Sequence, residues 1–162
     1  MAAGSPETPE KPLLTVVDPL AVHVDDKLLA SSFLTWLRNE SSAVFYGYFG
    51  IGPFSFLRRS RMKKIHAALC VSLWQLAVES AYPGKGAQIA REAAHLLGCE
   101  KDDVFCSSCA QIQKALPASG EEDFSPISGA LCSIAGAVPN SMLERALALH
   151  SRRIYNTFLK MI

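Results

Sequence analysis

The chain has no strong period-two alternation of apolar and polar residues, so no β-strand is expected. It also lacks a His-Glu-x-x-His, a Gly-x-Ser-x-Gly, a phosphate-cradling glycine loop and a dinucleotide fingerprint, so no enzyme class finds support in its motifs. There are no internal repeats. Charge of one sign is not in excess: 16 Lys and Arg against 15 Asp and Glu give a net +1 at pH 7, which argues against a general affinity for polyanions and against nucleic acid as a partner. The opening residues Met1–Glu7 contain neither a basic nor an apolar signal region, so export is not expected. The uncharged run Ser41–Leu57 is 17 residues long and contains three glycines and a proline, whereas a spanning helix wants roughly 20 apolar residues. Five cysteines are an odd number, which fits a reducing compartment and a cytoplasmic location.

What is present is enough for one core. A chain of 162 residues, 49% of them hydrophobic, fits a single domain, which buries about 68–70% of its unfolded surface at this size. The fold expected is all-α: one compact domain, residues 13–162, of about six helices around a buried central helix, behind a flexible tail over 1–12. Leu13–Val24, broken at Pro19, reads as an irregular arm. Asp25 or Asp26 caps a first helix to Arg38, with Leu29, Phe33, Trp36 and Leu37 on one face. Ser42–Tyr48 reads as a short helix. The central helix is expected over Phe54–Ala81 with Pro53 at its start, basic in its first turns and apolar nearly all round later. Further helices follow over Ala87–Leu97, closed by Gly98; from Asp102 or Asp103 to Leu116; from Ser125-Pro126 to Val138; and from a Ser141/Glu144 capping box to the end. The last carries Leu143, Leu147, His150, Ile154, Phe158 and Met161 as one stripe, a candidate seam for a homo-oligomer.

Three constellations could carry function. Arg58, Arg59, Arg61, Lys63 and Lys64 fall within seven positions, directly after the aromatic and glycine-rich segment Val44–Phe56. Like charges three and four apart on a helix repel by a few tenths of a kcal/mol per pair, and cations at a helix start oppose the macrodipole. Compensation by an anion would remove both costs. The reading favoured is a non-enzymatic helical binding or adaptor module that contacts an acidic protein surface or another anionic ligand through these cations and Tyr46, Tyr48 and Phe49. Contact with a membrane surface falls within the same chemistry. The bland alternatives are a solvated basic face that meets the protein's own acids around Glu121–Asp123, and aromatics that complete the core.

The second constellation is His95, Cys99, Cys106 and Cys109, spaced His-x3-Cys-x6-Cys-x2-Cys. Thiolates with an imidazole suit zinc or an iron–sulfur cluster, the alternative to a chain without cofactor. The Cys-x6-Cys-x2-Cys portion resembles the iron–sulfur loop of the endonuclease III-like glycosylases. The place of that family's fourth cysteine holds Ala115, so the likeness covers three ligands and implies nothing about activity. The third is a helix-turn-helix resemblance over 90–116: Ala94, Gly98 and Val104 match its small residue, turn glycine and buried aliphatic. It implies a DNA-binding regulator, but the second helix opens with Asp102-Asp103 and offers only Gln111, Gln113 and Lys114 for bases or phosphates.

Overall fold

The computed structural model describes residues 19–118 and 121–162, with the side chains from Asp26 onward. The expected tail over 1–12 lies outside the described residues, as does the start of the arm. Among the described residues there are seven helices and no strand: α1 Pro19–Asn39, α2 Ala43–Tyr48, α3 Phe56–Ala81, α4 Gly86–Leu96, α5 Asp103–Lys114, α6 Ser125–Ala135 and α7 Ser141–Met161. They form one domain in which α3 packs against α4, α5, α6 and α7 and touches α2. Helix α3 has this central place because its sequence is apolar on every side after the basic turns. Ala68 through Trp74 are all buried.

Aromatic packing ties the first, central and last helices. The Phe33 ring stacks on Trp74 at 5.5 Å between centroids, and Phe158 meets Trp74 edge-on at 5.1 Å. All three are fully buried, and truncating such a ring to alanine costs about 3–5 kcal/mol. The α7 stripe offered as an oligomer seam is used here: Leu147, His150, Ile154 and Phe158 are buried within the chain.

Several local expectations shift. Helix α1 begins at Pro19 rather than at Asp25 or Asp26, because proline suits a first helical position. Asp26 is therefore an interior residue, and its carboxylate accepts from Lys85 Nζ at 2.9 Å and Gln88 Nε2 at 3.1 Å, which pins α1 to the start of α4. Helix α3 starts at Phe56, since Pro53 and Phe54 form a turn ahead of it. Helix α6 stops at Ala135, where Gly136 takes φ 70° and closes the helix in the left-handed region that favours glycine. The α7 cap is Asn140, not Ser141: its side chain accepts from Leu143 N–H at 2.9 Å. The uncharged residues Phe124–Leu143 are split between α6 and α7, and no helix among the described residues is long and apolar enough to cross a membrane.

The α3–α4 corner shows the closest backbone approach. Glu79 accepts from the backbone N–H of Gly84 at 2.7 Å and of Gly86 at 2.9 Å, and these bonds hold its carboxyl below the usual range. A Cβ on Gly86 would stand 2.7 Å from the Gln75 carbonyl oxygen, so only glycine fits.

Candidate anion-binding surface

No Asp or Glu occurs between Glu40 and Glu79, and that interval contains all five clustered cations. Such an acid-free interval is a sequence signal for a basic face that the cation spacing alone understates. The start of α3 carries this face, and the structure divides the cations by the work they do. Arg59 lies over the Tyr46 ring, 4.9 Å from its centroid. Arg61 donates to the Ile134 carbonyl at 3.0 Å, a cation placed on the last turn of α6, where the helix dipole favours it. Lys64 pairs with Asp102 at 2.8 Å. That pairing holds the Asp102 carboxyl below its ordinary value and raises the Lys64 ammonium. Asp102 also caps α5 by accepting from Phe105 N–H at 2.9 Å. Part of the cluster thus meets the protein's own acid, Asp102 rather than the Glu121–Asp123 group. Arg58 and Lys63 are exposed and form no ion pair among the described residues.

The aromatic segment divides in the same way. Phe45 and Tyr46 are buried, while Tyr48 and Phe49 are half-buried against the core. Tyr46 acts from the core by holding Arg59. The exposed apolar residues lie further on: Phe54 is 86% exposed, Phe56 74% and Leu57 89%. These three replace Tyr46, Tyr48 and Phe49 as the outward-facing side chains beside the cations. Sequence reading missed them because it ran the helix through Phe54, which made the apolar run look like core. Beside this tip, Arg58, Arg61, Phe49 and Ile51 line a hollow of about 310 Å³ against Ala135–Ala137. Val138, next in the chain, is 84% exposed.

Between α1, α3 and the end of α4 lies a larger hollow of about 690 Å³. Leu34, Leu37 and Leu97 are among its walls, and Lys63 and Lys64 border it. Its wall also includes His66, which belongs to a buried pair. His66 Nε2 lies 3.2 Å from His150 Nε2, and the Ser42 hydroxyl is 3.3 Å from His66 Nδ1. The Phe45 ring covers both imidazoles. One Nε2 must donate and the other accept, so the accepting ring is neutral, and burial keeps the donating ring neutral as well. Burial is the main cause of their depressed pKa values, about 3 for His66 and about 4 for His150, with Arg153 adding to both. The Glu40–Arg153 ion pair at 2.7 Å flanks them. These histidines are 84 positions apart, and no motif spacing links them.

The four cysteine-region residues bond to other groups of the chain. His95 is exposed and pairs with Glu100 at 2.8 Å, which raises its pKa. The Cys106 thiol points to the Glu100 carbonyl at 3.3 Å, Cys99 to the Leu97 carbonyl at 3.7 Å and Cys109 to the Ala68 carbonyl of α3 at 3.9 Å. Burial pushes the Cys109 thiol up to about 12. No group of three or more such side chains converges on a metal position among the described residues. The α4–α5 hairpin has the expected turn, with Ala94 buried and Gly98 at φ 71°. On α5, Gln113 is engaged with Gln75 of α3 at 2.9 Å, whereas Asp103, Gln111 and Lys114 face outward.

No protein-family model, curated protein or solved structure matches the chain.

Proposed function

We propose that the protein is a non-enzymatic helical binding module whose contact surface is the start of α3 and the loop before it, with an anionic partner. The observation that carries this reading is the placement, on the turn before α3 and in its first residues, of three large exposed apolar side chains, Phe54, Phe56 and Leu57, with exposed Arg58 next to them and exposed Lys63 further along the same helix. Large exposed apolar patches rimmed by polar residues mark protein or membrane interaction sites. The cations beside them sit at the wrong end of the α3 dipole, and no acid lies in the first turn to offset them. An external anion removes that cost.

Arg61 and Lys64 serve the fold, through Ile134 and Asp102, so the surface is tested with Arg58 and Lys63. Wild-type protein should be retained on immobilised poly-L-glutamate at low ionic strength and released as salt screens the contact. Arg58→Glu with Lys63→Glu should abolish retention while the helical circular dichroism stays unchanged. Retention by that folded variant would rule the surface out.

A further inference from the structure

We infer that the partner is the surface of an anionic lipid bilayer, with Phe54, Phe56 and Leu57 entering the boundary between headgroups and acyl chains. Arg58 and Lys63 then face the headgroup phosphates and carboxylates. This rests on the anionic-partner reading above and names the partner's class.

Shape is the first argument. The three apolar side chains stand on the turn at Pro53–Phe54 and the first turn of α3, and at 74–89% exposure they form a projection rather than a cleft. A projecting apolar tip has nothing of its own to enclose a small molecule. It suits a medium that opens around it, as the interfacial layer of a bilayer does. Charge is the second. In the run Phe54-Ser55-Phe56-Leu57-Arg58-Arg59 the cations begin where the apolar residues end, the chain has no carboxylate between Glu40 and Glu79, and the Asp102 carboxylate that the fold brings to this helix is neutralised by Lys64. Lys and Arg held close to anionic lipid each add to binding, and salt weakens the effect within a Debye length.

Continuity is the third argument. The hollow lined by Arg58 and Arg61 also meets Ala135–Ala137, and Val138 beyond it is exposed, so the α6–α7 corner extends the apolar area at this end. Arg61 ties that corner to the start of α3 through the Ile134 carbonyl. The arrangement is that of a peripheral anchor: apolar groups at the tip, Arg58 directly after them and Lys63 about two turns beyond Phe56. An acidic protein face would satisfy the cations but would leave Phe54, Phe56 and Leu57 in water unless it also carried a matching groove.

The experiment is co-sedimentation with phosphatidylcholine vesicles, with and without phosphatidylserine. Wild-type protein should pellet with the anionic vesicles and stay in solution with the neutral ones. Phe56→Ser with Leu57→Ser should weaken vesicle binding by about tenfold or more and leave poly-L-glutamate retention intact. Both side chains are exposed, so the substitutions spare the core, and circular dichroism checks this. A Phe56→Trp reporter should be quenched by brominated acyl chains. If anionic vesicles leave the protein in solution while poly-L-glutamate retains it through Arg58 and Lys63, bilayer docking is overturned and the anionic-partner reading stands. Failure to bind either surface overturns both. Equal binding of neutral and anionic vesicles overturns the role given to the cations.

Discussion

Acid should weaken this fold well before its carboxylates titrate, because two neutral histidines are buried against each other. His66 and His150 have folded pKa values of about 3 and about 4, against 6.5 for an exposed imidazole. A histidine whose folded pKa is lowered gives full stability above its unfolded value, and that stability is lost as pH falls through it. Between pH 7.5 and 5.5 the unfolded chain takes up nearly one proton at each position and the folded chain takes up almost none. Each residue then costs about 1.4 kcal/mol, the free energy of a tenfold change. Together the loss is about 2.7 kcal/mol, a large share of the 5–15 kcal/mol typical of a domain.

The result depends only on both folded values lying below about 5. Protonating the accepting ring would set two N–H groups against each other across 3.2 Å, and Arg153 lies nearby. Cys70, also close, stays a neutral thiol because burial pushes its pKa up. Exposed His95 has the opposite sign, since Glu100 raises its pKa, so the measurement belongs in a His95→Gln background. Urea unfolding midpoints at several pH values would supply the slope. His150→Gln, which can still pair with His66, should cut the loss to about 1.4 kcal/mol. The His66 and His150 proton resonances in the folded protein should not move above pH 5. Stability independent of pH over this range, or either of these two rings titrating near 6.5, would refute the reasoning.

Other substitutions test separate parts of the structure. Gly86→Ala should destabilise by about 1–3 kcal/mol despite alanine's better helix propensity, because the new methyl meets the Gln75 backbone oxygen, and thermal unfolding measures it. Ser108 buries a hydroxyl with no partner among the described residues, so Ser108→Ala should stabilise by about 1 kcal/mol in the same assay. Exposed Cys106 should react first with a thiol reagent in the folded protein, while Cys70 and Cys132 wait for unfolding, as a time course in native buffer would show.

The helical architecture was legible because periodicity reports burial. The apolar run after Ile65 marked α3 as the central helix, and the α7 stripe from Leu143 to Phe158 faces the core. The ends were less legible. A serine followed by Glu144 looks like a capping box, yet Asn140, one residue earlier, has the extended backbone that lets its side chain reach Leu143. In the candidate surface the cations were visible, but their partners were not. Lys64 reaches Asp102 and Arg61 reaches Ile134 across the tertiary fold, and local spacing has no record of such pairs. The aromatic residues misled for the same reason. Phe45 and Phe56 have identical chemistry, yet Phe45 on α2 is fully buried and Phe56, at the start of α3 after the Pro53–Phe54 turn, is exposed. The His66–His150 pair lay wholly beyond sequence reading.

In the proposed function the location of Arg58 and Lys63, rather than total charge, makes the surface. The most direct test compares Arg58→Glu/Lys63→Glu with Arg91→Glu/Lys101→Glu, which reverses two other exposed cations and changes net charge equally. Retention on poly-L-glutamate across a salt series is the readout. The first variant should lose retention while the second stays near wild type. Equal loss in both would mean that net charge alone governs binding, and would contradict the proposed function.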